Sequence, residues 1–282
     1  MHRYQILIEY VGTNFIGWQK QSKGQSIQKL IQIKISKLLK EQINLIGSGR
    51  TDSGVHAVEQ SAHFDCKKKI KNLSKFLQSI NFFLNIKLIS ITNIKNKNLN
   101  FHARFSAKQR IYTYVIFNRI SRPSIEKNRG WHIRKKLDLK LMKKGAKKLL
   151  GTNDFSTFRS SSCNAKSPIK TIKSIKIKGV KNKIQIQFKS QSFLQQQVRS
   201  MVGCLKYLAE KKWDLKKFEN VFKSKKKSFM CSTCTCSWIV FREGYLLTLR
   251  VFLNFLLIRH LEPSLTIKPA QFFEPHLQGN CL

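Results

Sequence analysis

Residues Gly47–Ala57 read GSGRTDSGVHA: three glycines, one arginine and a single carboxylate, Asp52, compressed into a short turn of a strongly basic chain. Glycines at 47, 49 and 54 let the backbone turn sharply and approach a ligand closely, so Asp52 is expected to face a cleft. A carboxylate in that setting can serve as nucleophile or general base. Arg50 beside it can donate to a phosphate or stack on a base. The competing reading is an aspartate that only fixes the turn through its own backbone hydrogen bonds.

Working outward, INLIG (43–47) reads as a short strand entering this loop and VEQSAHFD (58–65) as the strand leaving it. Upstream, MHRYQILIEYVG places Tyr4, Ile6, Ile8 and Tyr10 on one face of a half-buried strand, and it lacks the long apolar run of a secretory signal. Ser26 caps a helix carrying Ile27, Leu30, Ile31, Lys34 and Leu38. A helix over 73–84 and a strand over 86–91 follow. A second round opens with RIYTYVIF (110–117). Asp138 then caps a helix bearing Leu141, Met142, Gly145, Ala146 and Leu149, ended by Gly151. IKTIKSIKI (169–177) and KIQIQFK (183–189) alternate with period two. Ser192 opens a helix running to about Lys211, with Leu194, Val198, Met201, Val202, Leu205 and Leu208 as its apolar stripe. The expected fold is α+β in two similar halves, each a mostly antiparallel sheet with helices on one face. The boundaries predicted are an N-terminal domain over 1–104, a C-terminal domain over 105–229 and an anomalous tail over 230–282.

Composition bounds the function. The 282 residues carry 54 Lys and Arg against 14 Asp and Glu, a net charge of +40 that favours a polyanion such as nucleic acid. An A/T-rich genome inflates lysine without selection for binding, so the placement of acids is more telling than their number. None occurs from Cys66 to Ile125 or from Phe155 to Ala209, which fits an RNA-facing surface as well as a solvated lysine face. Seven irregularly spaced cysteines suit reduced thiols in the cytoplasm rather than a disulfide framework. The apolar run Gly244–Ile258 is short and broken by Arg250, so no membrane span is expected.

Five segments, in order, carry a family signature: YVGTNFIGWQKQ (10–21), GRTDSGVHA (49–57), NFHARFSAKQRIYTYVIFN (100–118), GTNDFSTFR (151–159) and FLQQQVRSMVG (193–203). Together they closely resemble the tRNA pseudouridine synthase A family over roughly residues 1–229. The resemblance implies an isomerase acting on uridines at tRNA positions 38 to 40, in the anticodon stem-loop, as a homodimer without a metal or cofactor, with an RNA-binding cleft between the two halves. It makes Asp52 the catalytic carboxylate, attacking the ribose C1′ or assisting a glycal. It makes Tyr112 the active-site phenol that stacks on uracil, although Tyr112 and Tyr114 share a strand face that also suits core packing. Arg199 matches the helix arginine that keeps the carboxylate ionised, and Arg50 the residue filling space left by a flipped nucleotide. His102, Arg104, Lys108 and Arg110 would line the RNA path. His56 and His63 read as structural, and Phe155 and Phe158 as core.

The pattern breaks near the end. In place of A-P-A-x-G-L and a last core strand stands FMCSTCTCSWIVF (229–241). Cys231, Cys234 and Cys236 tempt a zinc reading but lack a fourth ligand. Codons chosen for Met230–Phe241, read one base further on, spell Cys-Ala-Pro-His-Ala-Pro-Ala-His-Gly-Leu, which contains the missing segment. Lys225–Lys227, an A-rich tract if coded by AAA, is the expected slip point. Residues from about 228 onward are therefore predicted to be out of frame, leaving the second half short of a core strand. The alternative function is a catalytically impaired tRNA-binding protein. A membrane-associated basic protein rests on the 244–258 run alone.

Overall fold

Strand β1 (His2–Tyr10) buries Tyr4, Ile6, Ile8 and Tyr10 at alternate positions, as its period-two pattern requires. The computed structural model describes residues 1–127 and 129–225, and the backbone of 239–243. Helix α1 (Ile27–Leu39) follows, with the Ser26 side chain accepting the Lys29 N–H and with Ile27, Ile31 and Ile35 buried on one face. After β2 (Ile46–Gly47) and β3 (His56–Cys66), helix α2 (Leu73–Leu84) repeats this arrangement. Asn72 caps it at Lys75, and Phe76, Ile80 and Leu84 point inward. Strand β4 (Ile89–Lys97) begins three residues later than the pattern at 86 predicts. The end of α2 tightens into a 3₁₀ turn at Asn85–Lys87, and Leu88 adopts a left-handed conformation before the chain extends.

The second half comprises β5 (Arg110–Asn118), β6 (Trp131–Ile133), α3 (Leu139–Lys148), β7 (Gly151–Asp154), β8 (Ile169–Val180), β9 (Lys183–Ser190), α4 (Gln197–Ala209) and α5 (Leu215–Lys223). Asp138 caps α3 through the Leu141 N–H, and Asp214 caps α5 through the Lys217 N–H. Helix α4 starts five residues after the predicted opening at Ser192. Its first carbonyl comes from Gln196, whose φ of 61° is left-handed. The Gln197 side chain turns back to accept the Leu194 N–H at 2.7 Å, so 192–196 form a hydrogen-bonded loop instead of a first turn.

Among the described residues, ten strands join one sheet in the order β4-β1-β3-β10-β5-β9-β8-β7, with β2 paired to β3 and β6 to β5. Two cores lie along it. One gathers α1, α2 and the β1–β3–β4 strands; the other gathers α3, α4, α5 and the β5–β9–β8 strands around Tyr114, Phe155, Phe158 and Phe188. Both halves are α+β with mostly antiparallel pairing, β6 alone lying parallel to β5 in the second, in accord with the sequence pattern.

The joint is β10 (Ile239–Glu243), parallel to β3 and antiparallel to β5. This overturns the expectation of a missing strand. Ladder hydrogen bonds are made by the main chain, and Ile-Val-Phe is strand-favouring whatever reading frame produced it. The cysteines at 231, 234 and 236, and the 244–258 run, lie outside the described residues. No helix among the described residues is long and apolar enough to cross a membrane.

Phe158 is fully buried against Phe155 and Phe222, with ring centroids 6.2 and 5.6 Å away. Phe158→Ala is expected to cost about 3–5 kcal/mol of unfolding free energy in urea titration. Phe82→Ala, at a side chain 73% exposed on α2, should stay within about 0.5 kcal/mol.

Candidate active site

Asp52 stands at the head of a tight turn whose closing bond runs from the Val55 N–H to the Asp52 carbonyl at 3.1 Å. Gly54, φ 76°, takes the left-handed conformation this turn demands. The 10–21 segment lies against the loop: the Trp18 N–H donates to the Thr51 carbonyl at 3.1 Å, and the Gly54 N–H to the Phe15 carbonyl at 3.3 Å. Gly17 makes this approach possible, since a Cβ there would stand 2.6 Å from the Thr51 carbonyl oxygen.

Beneath the loop runs a buried polar chain that sequence reasoning missed. Tyr10 Oη lies 2.7 Å from Gln60 Oε1 and 2.8 Å from Thr51 Oγ1. An amide oxygen only accepts, so the phenol donates to Gln60 and accepts from Thr51. Gln60 Nε2 in turn donates to the Gly49 carbonyl at 2.9 Å. Burial pushes the Tyr10 phenol far up, so it remains a neutral donor. The available signal was a strand glutamine and tyrosine on the buried face of a polar loop.

The structure brings Asp52, Tyr112 and Arg199 into one electrostatic neighbourhood. Burial raises the Asp52 pKa above its ordinary value, and the positive charge of Arg199 opposes that rise. Burial also raises the Tyr112 phenol, reinforced by the negative charge of Asp52. Desolvation outweighs the guanidinium at Asp52, leaving a carboxylate more basic than one in water. Tyr112, on β5, is half-buried, packs against both cores and meets the Phe193 ring edge-on at 5.1 Å. Arg199 lies in the first turn of α4, half-exposed between buried Val198 and Ser200. Tyr114, which shares β5 with Tyr112, is core.

The remaining predicted residues divide by task. Arg50, Arg104 and Lys108 are exposed. Arg110 spends its guanidinium on main-chain carbonyls: those of Ser48 and Gln191, and that of Arg104 at 3.3 Å. It thereby ties the foot of the Asp52 loop to the end of β9. His102 is half-buried, its Nδ1 accepting the Arg104 N–H at 3.2 Å. His56 Nδ1 accepts the Gly12 N–H at 3.2 Å and His63 Nδ1 the Ala103 N–H at 3.1 Å. Burial lowers both imidazoles from 6.5 to about 4, and nearby arginines, Arg129 and Arg3, add to the effect. Among the described residues, no three His, Cys, Asp or Glu side chains gather into a metal-holding set.

The family model described as "tRNA pseudouridine synthase" matches residues 6–106 and 146–236. The chain belongs to the tRNA pseudouridine synthase family. It is 74% identical over 227 residues to the tRNA pseudouridine synthase A of Pelagibacter ubique, an overlap of 80% of this chain and 92% of that protein. It is 41% identical over 213 residues to the tRNA pseudouridine synthase A of Paramagnetospirillum magneticum, 76% of this chain and 83% of that protein. The signature segments quoted above thus lie largely within the matched ranges.

Two outcomes follow from the electrostatics. The folded state holds the Asp52 proton more tightly than the unfolded chain does. The resulting penalty is absent below the ordinary pKa of 3.8 and grows as pH rises through the folded value. Asp52→Asn should therefore unfold at a higher temperature than the wild type at pH 7, the gap closing at pH 3.5. His56 and His63 act in the opposite sense. Their contribution is complete above pH 6.5 and is lost as pH falls toward about 4, so urea midpoints should decline across that window. In the double variant His56→Gln/His63→Gln the decline should be shallower.

Proposed function

We propose that this chain isomerises uridine to pseudouridine at positions 38 to 40 of the tRNA anticodon stem-loop, acting in the cytoplasm as a homodimer with one tRNA contacting both subunits. The observation that carries the reading is the Asp52 carboxylate, half-buried on a turn locked by Thr51 and Gly54, with Arg199 and Tyr112 in its field. A tRNA substrate accords with the family and with a net charge of +40.

The reaction conserves every atom. The C1′–N1 bond breaks, uracil rotates, C1′ joins C5, the C5 proton leaves and N1 gains one. An ionised Asp52 supplies what this sequence lacks in solution. It either bonds to C1′ as N1 departs, or removes a ribose proton to form a glycal. Arg199 favours the ionised carboxylate, and its opposing charge in a partly dry site is worth more than in water. Tyr112 presents a ring face to uracil and a neutral phenol as a polar handle. Arg50, exposed beside Asp52, fills the helix position vacated by the extruded nucleotide. His102, Arg104, Lys108 and Arg110 line the path of the RNA backbone, Arg110 by holding the loops that form it.

A second reading is favoured by one observation. The A-P-A-x-G-L segment that the resemblance leads one to expect is replaced by FMCSTCTCSWIVF (229–241), where the family match itself ends at residue 236. We infer that the chain beyond about residue 228 is translated out of frame, and that its product binds tRNA with impaired catalysis. Resequencing the gene tests the first part: an uninterrupted tract of codons there would overturn it.

The functional reading is tested by tritium release from tRNA labelled at uridine C5. Asp52→Asn, in a chain with the frame restored, should lose turnover by at least about a thousandfold while retaining tRNA affinity. Near-normal turnover would overturn the mechanism. Binding without release in the chain as it stands would favour the second reading.

A further inference from the structure

The segment between β4 and β5 holds a side chain that neither the fold nor the chemistry above employs. Phe105 is 78% exposed, although Ala103 and Ala107 on either side are buried. Its ring is not loose. The turn carrying it is closed at both ends, by the Ser106 N–H to the His102 carbonyl at 2.8 Å and the His102 N–H to Ser106 Oγ at 3.0 Å. The His102 ring lies under the Phe105 ring, centroids 4.4 Å apart and tilted by 33°. His102 in turn rests edge-on against buried His63 at 4.8 Å. Three rings thus form a pillar rooted in the core, with Phe105 as its open cap.

The position of this cap matters. Arg110 donates both to the Arg104 carbonyl, next to Phe105, and to the Ser48 carbonyl, at the foot of the Asp52 loop. The Arg104 guanidinium lies 5.9 Å from the Phe105 centroid, Lys108 is exposed nearby, and no acid occurs from Cys66 to Ile125. Exposing a phenylalanine to water has no intrinsic benefit, and holding one rigid removes rotamer freedom. An exposed aromatic face among cations, beside a site for a nucleotide, is the arrangement that binds unpaired bases: the cations take the phosphates and the ring takes the base.

We propose that Phe105 is a stacking platform for an unpaired base of the RNA substrate near the uridine presented to Asp52, with Arg104 flanking the stack and His102 fixing its height. The inference rests on the tRNA reading above. Phe105 carries no polar atom on its ring, so it positions RNA without selecting a base, leaving choice of uridine to the site around Asp52 and Tyr112. It is a positioning residue for substrate, not a participant in bond breaking.

The test is equilibrium binding of an unmodified tRNA transcript to the full chain, compared with Phe105→Ala, Phe105→Tyr, Phe105→Trp and Lys108→Gln over a salt series. Phe105→Ala should raise Kd roughly 5- to 150-fold, the range for loss of one base–aromatic stack. Its thermal midpoint and its dependence of log Kd on log salt should be unchanged. Phe105→Tyr and Phe105→Trp should restore affinity, because each keeps a π-face. Lys108→Gln should instead lower the salt slope by about one phosphate contact. Wild-type affinity in Phe105→Ala overturns the platform, as does a loss that neither aromatic variant repairs. A Phe105→Ala chain that sediments at a lower mass without RNA also overturns it, since Phe105 would then belong to a protein interface. Failure of the wild type to bind tRNA strikes the functional reading itself, and the platform with it.

Discussion

The 3.1 Å hydrogen bond between the Trp18 N–H and the Thr51 carbonyl is the contact on which the site depends. Two stretches of main chain, far apart in sequence, meet there with no side chain between them. Gly17 is the reason they can. From below, Tyr10 and Gln60 secure the same loop through Thr51 and Gly49. Asp52 is thus presented by a loop gripped on both sides. A flexible loop would have to be ordered each time substrate bound, and the cost of that ordering would fall on affinity or turnover.

Gripping the loop places Asp52 where water is partly excluded, and two opposing effects then meet on one carboxyl. Desolvation raises its pKa; Arg199 lowers it, and the first dominates. A carboxylate held this way is costly to the fold and useful to chemistry, since it is a stronger base and nucleophile than a solvated one. The same burial keeps Tyr112 and Tyr10 protonated. His56 and His63 are instead held neutral near pH 7. Arg110 shows that sequence charge is not surface charge: its donors are turned inward to carbonyls.

The joint between the two cores follows a different logic. β10 completes the sheet by pairing with β3, which follows the Asp52 loop, and with β5, which carries Tyr112. Strand pairing draws on main-chain groups, so the five residues Ile239–Glu243 can complete the sheet whatever their side chains. Conserving the ladder does not conserve the side chains around it, and for that reason a complete sheet and an intact catalytic surface are separate properties of this chain.

Local signals made much of this molecule legible in advance. Capping oxygens at Ser26 and Asp138 precede apolar residues at helical spacing, and strands from Tyr4 to Tyr10 and from Lys183 to Lys189 alternate visibly; these depend only on residues within a turn or two of each other. The Gly47–Ala57 loop announced itself by its glycines and its solitary acid. What remained hidden was set by distant partners: the late start of α4, where Gln197 turns back on Leu194; the diversion of Arg110; the Tyr10–Gln60 chain; and the exposure of Phe105 above two stacked histidines. Sequence alone determined the capped helices and the alternating strands and singled out Asp52 as the candidate acid, because these are properties of short-range pattern and residue type; the short β6 and β7 and helix α5 were not legible in it. Tertiary structure alone decided how basic that acid is and what stands beside it, because desolvation and Coulomb forces depend on distances that only the folded chain defines.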